Sequence, residues 1–239
     1  MIRGTRATKE TGGEKEREDQ KGQGMGAPPV QPVVDLGSAT LKTRRGDVHC
    51  LTIVGQIEGH MALGQEAKTT KYEHVLPLLA ALEADEHVRG VLFLLNTMGG
   101  DVEAGLAIAE LIAGMTKPTV SLVLGGGHSI GIPLAVAPKR TLIAPSASMT
   151  VHPIRMSGTM IAAPQTYSYF SRLQERIVRF VTRNSHITEQ KFTELMMSAK
   201  DMAADVGSVI YGEEAVACGL IDGIGGLSDA LAALDAMME

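Results

Sequence analysis

Apolar runs of strand length alternate with segments of helical spacing from residue 46 onward. The runs DVHCLTIVGQI, RGVLFLLNT and KPTVSLVLGGG are continuous and apolar, which is typical of strands covered on both faces. The segments between them, YEHVLPLLAALEAD and DVEAGLAIAELIAGM, repeat apolar residues at the interval of an amphipathic helix. A further helix, SIGIPLAVA, and a strand pair, RTLIAPSASMTVH, follow. The alternation predicts an α/β domain of layered architecture with a mostly parallel sheet and flanking helices.

The two ends of this pattern differ from its centre. Residues 1–45 mix charges of both signs with a Pro-rich piece, MGAPPVQPVVDLG, and hold too few apolar side chains to offset the cost of ordering. We therefore expect residues 1–45 to be a disordered tail and linker, and residues 46–239 to be the folded domain. Residues from 154 to about 190 interrupt the alternation with one long amphipathic helix. This helix is predicted to project from the sheet and to be covered by another part of the protein or by another copy.

Composition narrows the class of protein. Of 239 residues, 44% are hydrophobic, and 22 basic against 27 acidic residues give a net charge of −5. That balance offers no basic surface for nucleic acid. The polar N-terminus is unlike a signal peptide, and no apolar run approaches the ~18 residues of a spanning helix. We expect a cytoplasmic protein with no direct membrane anchor, no metal site and no cofactor.

The candidate chemistry begins at GGGHSIG, residues 125–131. Three glycines end a predicted strand and allow a sharp turn, so that Ser129 lies at the start of the next helix. There, free N–H groups and the helix dipole favour negative charge. Ser129 is thus either an activated nucleophile or a simple helix N-cap.

A second glycine corner, LNTMGGDVEAG, repeats the strand–glycine–helix pattern at residues 95–105. Two neighbouring parallel strands would bring both corners to the carboxyl edge of one sheet, where α/β proteins place ligands. The backbone N–H groups of Gly100 and Ile130 could then point at one developing oxyanion.

His152 is the candidate general base. It ends the apolar stretch SMTVH, and Pro153 restricts the backbone after it. His128 adjoins the serine, but neighbouring side chains at a turn diverge, so it is the poorer candidate. A Ser–Lys dyad with Lys139 or Lys117 is an alternative that no motif supports. GHSIG also fits the α/β-hydrolase nucleophile elbow, but those enzymes place the histidine late in the chain, whereas here it follows the serine by 23 residues.

The motifs GGHSIG, LNTMGG, SMTVHP and GEEAVACGLID, in this order and spacing, resemble the Clp protease proteolytic subunit family. The resemblance implies a ClpP/crotonase fold with a projecting helical handle at about residues 154–190. It also implies a serine endopeptidase with a Ser–His–Asp triad, acting on short or unfolded peptides inside a homo-oligomeric ring or stacked rings, with a possible ATPase partner.

Residue by residue, the resemblance assigns Ser129 as the nucleophile and His152 as the base. Gly99 and Gly100, joined by Ile130, form the oxyanion hole. The triad aspartate is expected at Asp205, with Asp201 as the alternative.

Two other functions stay open from the sequence. The first is a catalytically weak ClpP-like scaffold or adaptor that assists protein secretion or spore development. This hypothesis depends on the triad aspartate, because a serine protease that lacks the orienting carboxylate loses about 10⁴-fold in rate. The second is a crotonase-like acyl-CoA enzyme, which would not need the serine and histidine.

Overall fold

The computed structural model describes residues 37–64, 66–155, 162–199 and 206–238. Within these ranges the chain forms nine strands and seven helices. The strands are β1 (Ser38–Thr43), β2 (Gly46–Glu58), β3 (Thr69–Lys71), β4 (Val88–Gly100), β5 (Thr119–Gly127), β6 (Arg140–Ile143), β7 (Ser148–Val151), β8 (Ser208–Tyr211) and β9 (Gly223–Ile224). The helices are α1 (Tyr72–Ala84), α2 (Val102–Gly114), α3 (Gly131–Val136), α4 (Ala163–Arg183), α5 (Glu189–Met196), α6 (Gly212–Ala217) and α7 (Leu227–Met237).

The strands form a mostly parallel sheet. Its main path runs β1-β2-β4-β5-β6-β9, with β3 beside β2 and β7 beside both β5 and β8. The five strands β2, β4, β5, β6 and β9 are parallel, whereas β1 is antiparallel to β2 and β8 is antiparallel to β7. The α/β architecture predicted from the sequence is therefore confirmed.

The strand β4 shows why its sequence is continuously apolar. Successive side chains of a strand point to opposite faces of the sheet. Phe93 and Leu95 lie in a core cluster that includes buried residues of α1, α2 and α3, while Leu92 packs with Leu234 of α7 on the other face. All four side chains are completely buried. The sheet is thus the middle layer of three, and both of its faces require apolar residues.

The folded domain begins before the predicted boundary at residue 46. Residues 38–43, assigned to the linker by their composition, form β1 and pair with β2 from Ser38↔Leu51 to Thr43↔Gly46. None of the six residues of β1 is fully buried, so hydrophobic patterning carries no sign of this strand. Backbone pairing at the sheet edge holds it instead. The rest of the predicted tail, residues 1–36, lies outside the described residues.

The predicted amphipathic helix of the handle is present as α4, and its two halves differ in exposure. In the first half, Tyr167 and Tyr169 are 76% and 50% exposed. In the second half, Leu173, Phe180 and Val181 are buried in the core of the domain. The chain therefore covers part of the apolar stripe itself. Neither α4 nor any other helix in the described ranges is long and apolar enough to cross a bilayer.

His49 is a buried histidine on β2. Its side chain is 8% exposed, and its Nδ1 lies 3.0 Å from Thr40 Oγ1. Its Nε2 has no hydrogen-bond partner among the described residues. Burial lowers the pKa of His49, because the charged ring would lose its hydration.

Acidification is therefore expected to destabilise the domain. An unfolded chain protonates His49 near the ordinary value of about 6.5, whereas the folded chain does so only at lower pH. Since the unfolded state then binds more protons, the free energy of unfolding falls as the pH drops below about 6.5. In His49→Gln this loss between about pH 7.5 and 5.5 should shrink by up to about 1 kcal/mol, measured by urea titration. Equal losses in both proteins would contradict the prediction.

Candidate active site

The glycine corner at Gly99 and Gly100 closes β4. Gly99 and Gly100 have positive φ angles of 93° and 152°, which favour glycine. The chain then enters α2, where the Asp101 side chain caps the helix by accepting a hydrogen bond from the Ala104 N–H at 2.8 Å. Because β4 and β5 are parallel neighbours, this corner lies at the same sheet edge as the end of β5. The two corners predicted from the sequence are thus brought together.

Ser129 occupies the other glycine corner, after β5, in a strained backbone conformation. Its φ is +57°, in the left-handed region that residues other than glycine rarely adopt. The Ser129 N–H donates to the Thr150 carbonyl at 2.9 Å, and the Ser129 carbonyl accepts from the Ile132 N–H at 3.0 Å. Strain of this kind is concentrated at functional sites. The N-cap of α3 is Ile130, with no side-chain cap hydrogen bond, so Ser129 is not the simple helix cap considered from the sequence.

Gly99 brings the two corners into direct contact. A Cβ atom on Gly99 would lie 2.6 Å from Ser129 Cβ and 3.0 Å from the His128 carbonyl oxygen. The Gly99 N–H donates to Thr97 Oγ1 at 3.1 Å, and that hydroxyl donates to the Gly55 carbonyl at 2.6 Å. Gly99 was predicted as part of the oxyanion hole. Here its amide already has an acceptor, and its contribution is the space that it leaves beside Ser129.

Four of the predicted site residues line one cavity. Gly100, Ser129, Ile130 and His152 all line a cavity of about 130 Å³. Its other walls are mostly apolar, from Val102, Ile132, Val151, Ile154, Ile177, Phe192 and Met196. The structure therefore places the proposed nucleophile, the proposed base and two proposed oxyanion donors around one space that an apolar group can enter.

His152 follows directly after β7 and is partly buried. Its Nδ1 lies 2.6 Å from the carbonyl oxygen of Pro153. Because a carbonyl only accepts, this contact is a hydrogen bond when Nδ1 carries the hydrogen, and in that neutral tautomer Nε2 can accept a proton. In the described part of the chain, no hydrogen bond joins the Ser129 hydroxyl to His152. Such bonds often tighten only when substrate is bound.

A second imidazole lies near His152. His128 Nδ1 is 2.9 Å from Thr150 Oγ1, so Thr150 contacts both His128 and the backbone of Ser129. Burial, and secondly the charge of His152, lower the pKa of His128. Sequence reasoning overlooked Thr150, although its position two residues before the histidine could have drawn attention to it.

The Ser–Lys alternative does not fit the structure. The ammonium of Lys117 donates to the Val88 carbonyl at 2.6 Å and to the Asp85 carbonyl, and that of Lys139 donates to the Thr116 carbonyl. Val88 begins β4, whereas the serine corner lies beside its last residues. Both lysines are thus held at the opposite edge of the sheet.

The two candidate aspartates, Asp205 and Asp201, lie outside the described residues. After this gap, β8 pairs with β7 in a register that sets Ser208 opposite Val151. The chain thus returns beside β7, the strand that directly precedes His152. Within the described ranges, no group of three or more His, Cys, Asp or Glu side chains could hold a metal ion.

Two ion pairs join α4 to α2 outside the cavity. Arg176 donates to both carboxylate oxygens of Glu103, at 2.7 and 3.0 Å. Arg183 donates to both oxygens of Glu110, at 3.1 and 3.0 Å. The pairs are seven residues apart on each helix, so α2 and α4 run side by side in a fixed register. Ile177, next to Arg176, lines the cavity, so this register places one of its walls.

Charge reversal tests this register. Arg176→Glu should lower the free energy of unfolding by about 1 kcal/mol, because two hydrogen bonds become a repulsion between half-exposed groups. The double variant Glu103→Arg/Arg176→Glu should recover most of the loss in urea titrations, and high salt should reduce the effect. Arg179→Glu is the matched control, since Arg179 pairs with Glu175 on its own helix. A double variant as unstable as Arg176→Glu would refute the register.

The parallel sheet with its glycine corners defines an α/β domain of the ClpP/crotonase fold, with a serine and a histidine at the carboxyl edge. The family model for Clp protease matches residues 44–227, and the chain belongs to the Clp protease family.

Curated relatives agree with this assignment. The chain is 51% identical over 211 residues to the translocation-enhancing protein TepA of Halalkalibacterium halodurans, covering 88% of this chain and 82% of the relative. It is 25% identical over 193 residues to the ATP-dependent Clp protease proteolytic subunit of Leuconostoc citreum, covering 80% and 86% of the two chains. A proteolytic subunit 1 from Chlamydia muridarum is 26% identical over 146 residues, which are 60% of this chain and 73% of the relative. The resemblance noted in the sequence is confirmed.

Proposed function

We propose that this chain is a serine endopeptidase that hydrolyses short or unfolded peptides inside a homo-oligomeric ring in the cytoplasm. The observation that carries the proposal is the strained Ser129, which shares a cavity with His152 at two glycine corners. Membership of the Clp protease family supports the same reaction.

The proposed reaction uses the groups around the cavity. Ser129 Oγ attacks the scissile carbonyl while His152 Nε2 takes its proton. The amide N–H groups of Gly100 and Ile130 then stabilise the oxyanion. His152 returns the proton to the leaving amine, and water releases the acyl group by the same steps in reverse. As the third group of the triad, the sequence predicts Asp205.

The volume and the apolar walls of the cavity suggest which residue of a substrate it accepts. Its volume is about 130 Å³ and its walls are mostly apolar. An apolar cavity of about 150 Å³ holds a benzene-sized group. We therefore expect cleavage after a medium-sized apolar residue.

Assembly is the second part of the proposal. Tyr167 and Tyr169 are largely exposed on the first half of α4, and a second copy would remove them from water. The relatives described as ATP-dependent proteolytic subunits suggest that an ATPase delivers the substrate.

Labelling and native mass test both parts on one sample. A fluorophosphonate should modify Ser129, as located by peptide mass spectrometry. Native mass spectrometry should show a whole-number multiple of the mass of one chain, as a closed ring requires. A fully assembled protein that hydrolyses no peptide and stays unlabelled at Ser129 would refute the peptidase. That outcome would favour the scaffold or adaptor; the name of the relative, translocation-enhancing protein, suggests a role in protein secretion.

A further inference from the structure

Two hydrogen bonds tie the serine corner to β7. The Ser129 N–H donates to the Thr150 carbonyl at 2.9 Å, and Nδ1 of the neighbouring His128 lies 2.9 Å from Thr150 Oγ1. Thr150 is the penultimate residue of β7, two positions before His152. We infer that His128 and Thr150 are positioning residues, which fix the distance between the proposed nucleophile and the proposed base. The inference rests on the proposed peptidase function.

The backbone pairing between β5 and β7 is short. Within the described ranges, these two strands pair at Gly126↔Ser148 alone. On its other side β7 is held more firmly, because all four of its residues pair with β8, and Thr150 lies opposite Val209. A contact from the serine corner to Thr150 therefore connects the corner to a strand that is itself fixed.

The ring of His128 has a defined place beside Gly126. A Cβ atom on Gly126 would lie 2.3 Å from His128 Nε2 and 2.6 Å from its Cδ2. Gly126 lacks the positive φ that would by itself favour glycine, so its small size serves the ring. The His128 N–H donates to the Thr97 carbonyl at 3.1 Å, and the His128 carbonyl accepts from the Gly131 N–H at 2.8 Å. Backbone and side chain of His128 are thus both held.

The strained backbone of the serine corner requires such support. Ser129 has a φ of +57°, and a conformation of this kind persists only where its surroundings hold it. The hydroxyl and the imidazole must also meet in the correct geometry, since an error of about 1 Å can cost about 10²-fold in rate. Thr150 bonds the corner and precedes the base by two residues, so it constrains both groups at once.

His128 suits this role because its ring stays neutral at neutral pH. Burial, and secondly the charge of His152, lower the pKa of His128 below the ordinary value of about 6.5. A neutral ring adds no positive charge near the imidazolium that forms on His152 during the reaction. The role requires no proton transfer by His128.

Thr150→Val tests the tie by removing one hydroxyl at nearly constant shape. Displacement of the corner should lower kcat about 10- to 100-fold with KM changed less than about twofold, whereas Thr150→Ser should stay within about threefold of the original. Thr141→Val is the matched control, because this buried threonine on β6 accepts a hydrogen bond from the Asp222 N–H at 2.9 Å. It should be less stable in urea titrations but keep its kcat. An unchanged kcat in Thr150→Val would overturn the inference.

Variants of His128 test the same bond from its other end. His128→Ala should lose kcat to a similar degree, and His128→Ala/Thr150→Val should be about as slow as either single variant, since all three lack one bond. His128→Asn places an amide near the position of Nδ1 and should recover most of the rate. Losses that multiply in the double variant would contradict the inference. A loss in His128→Asn as large as in His152→Asn would also contradict it, because His128 would then be the base.

The unmodified protein separates failure of the inference from failure of the proposed function. If it hydrolyses peptide and takes the fluorophosphonate label at Ser129, while the variants keep kcat, only the positioning role is wrong. If the assembled protein neither hydrolyses peptide nor takes the label, the peptidase is refuted and the positioning role with it. If hydrolysis falls in Thr150→Val while native mass and urea midpoint match those of Thr141→Val, the positioning role is supported.

Discussion

Replacing Ser129 with alanine is expected to abolish peptide hydrolysis and fluorophosphonate labelling while the domain stays folded. Removal of the nucleophile of a serine protease costs about 10⁶-fold in kcat. The backbone bonds of Ser129, to Thr150 and from Ile132, do not involve the hydroxyl and should persist. Peptide hydrolysis and native mass measure the two effects. Ser148→Ala, on the nearby strand β7, is a control that should remain active.

Replacing Ser129 with glycine measures the backbone strain at this position independently of the reaction. Ser129 has a φ of +57°, which glycine adopts without steric cost. Ser129→Gly should therefore be about 1 kcal/mol more stable than Ser129→Ala in urea titrations, although both are inactive. If the two variants were equally stable, the backbone would not be strained at the nucleophile.

Gly99→Ala is expected to reduce kcat at least about 100-fold, because the added methyl group would displace Ser129. The new Cβ would lie 2.6 Å from Ser129 Cβ, so one of the two corners must move. A displacement of about 1 Å in a catalytic group can cost 10²-fold in rate. The positive φ of 93° adds strain, and we expect the free energy of unfolding to fall by about 1–3 kcal/mol.

Gly114→Ala is the matched control for this variant. Gly114 ends α2, and a Cβ there would meet no atom within 4 Å. It should retain full activity and be slightly stabilised, since alanine favours helix more than glycine does. Steady-state kinetics and urea titration of the two variants make the comparison. Equal behaviour of both would show that the contact at Gly99 does not position the serine.

The sequence predicted the helices and strands around the site because each uses a periodic or continuous apolar pattern. The strand β4 is buried on both faces, and its continuously apolar sequence indicates this directly. β1 escaped prediction because it is an edge strand held by backbone hydrogen bonds, with no fully buried side chain. Patterns of hydrophobicity do not report pairing of that kind.

The parts of the site that glycines mark as turns could be predicted from the sequence. The individual hydrogen bonds within the site could not. The two corners and His152 carry recognisable motifs, and the structure brings them to one cavity. The use of the Gly99 amide by Thr97 and the contact between His152 and the Pro153 carbonyl depend on distances of about 3 Å. The ion pairs between α2 and α4 join residues 73 positions apart, which no local pattern reveals.

The contacts that hold the serine corner form in a fixed order during synthesis of the chain on the ribosome. Ser129 is held from one side by Gly99, which precedes it, and from the other by Thr150, which leaves the ribosome later. An unfinished chain that ends soon after α3 lacks the second support and also lacks His152. In the proposed mechanism hydrolysis requires His152, which follows β7, so we expect a chain that ends before residue 152 to be inactive.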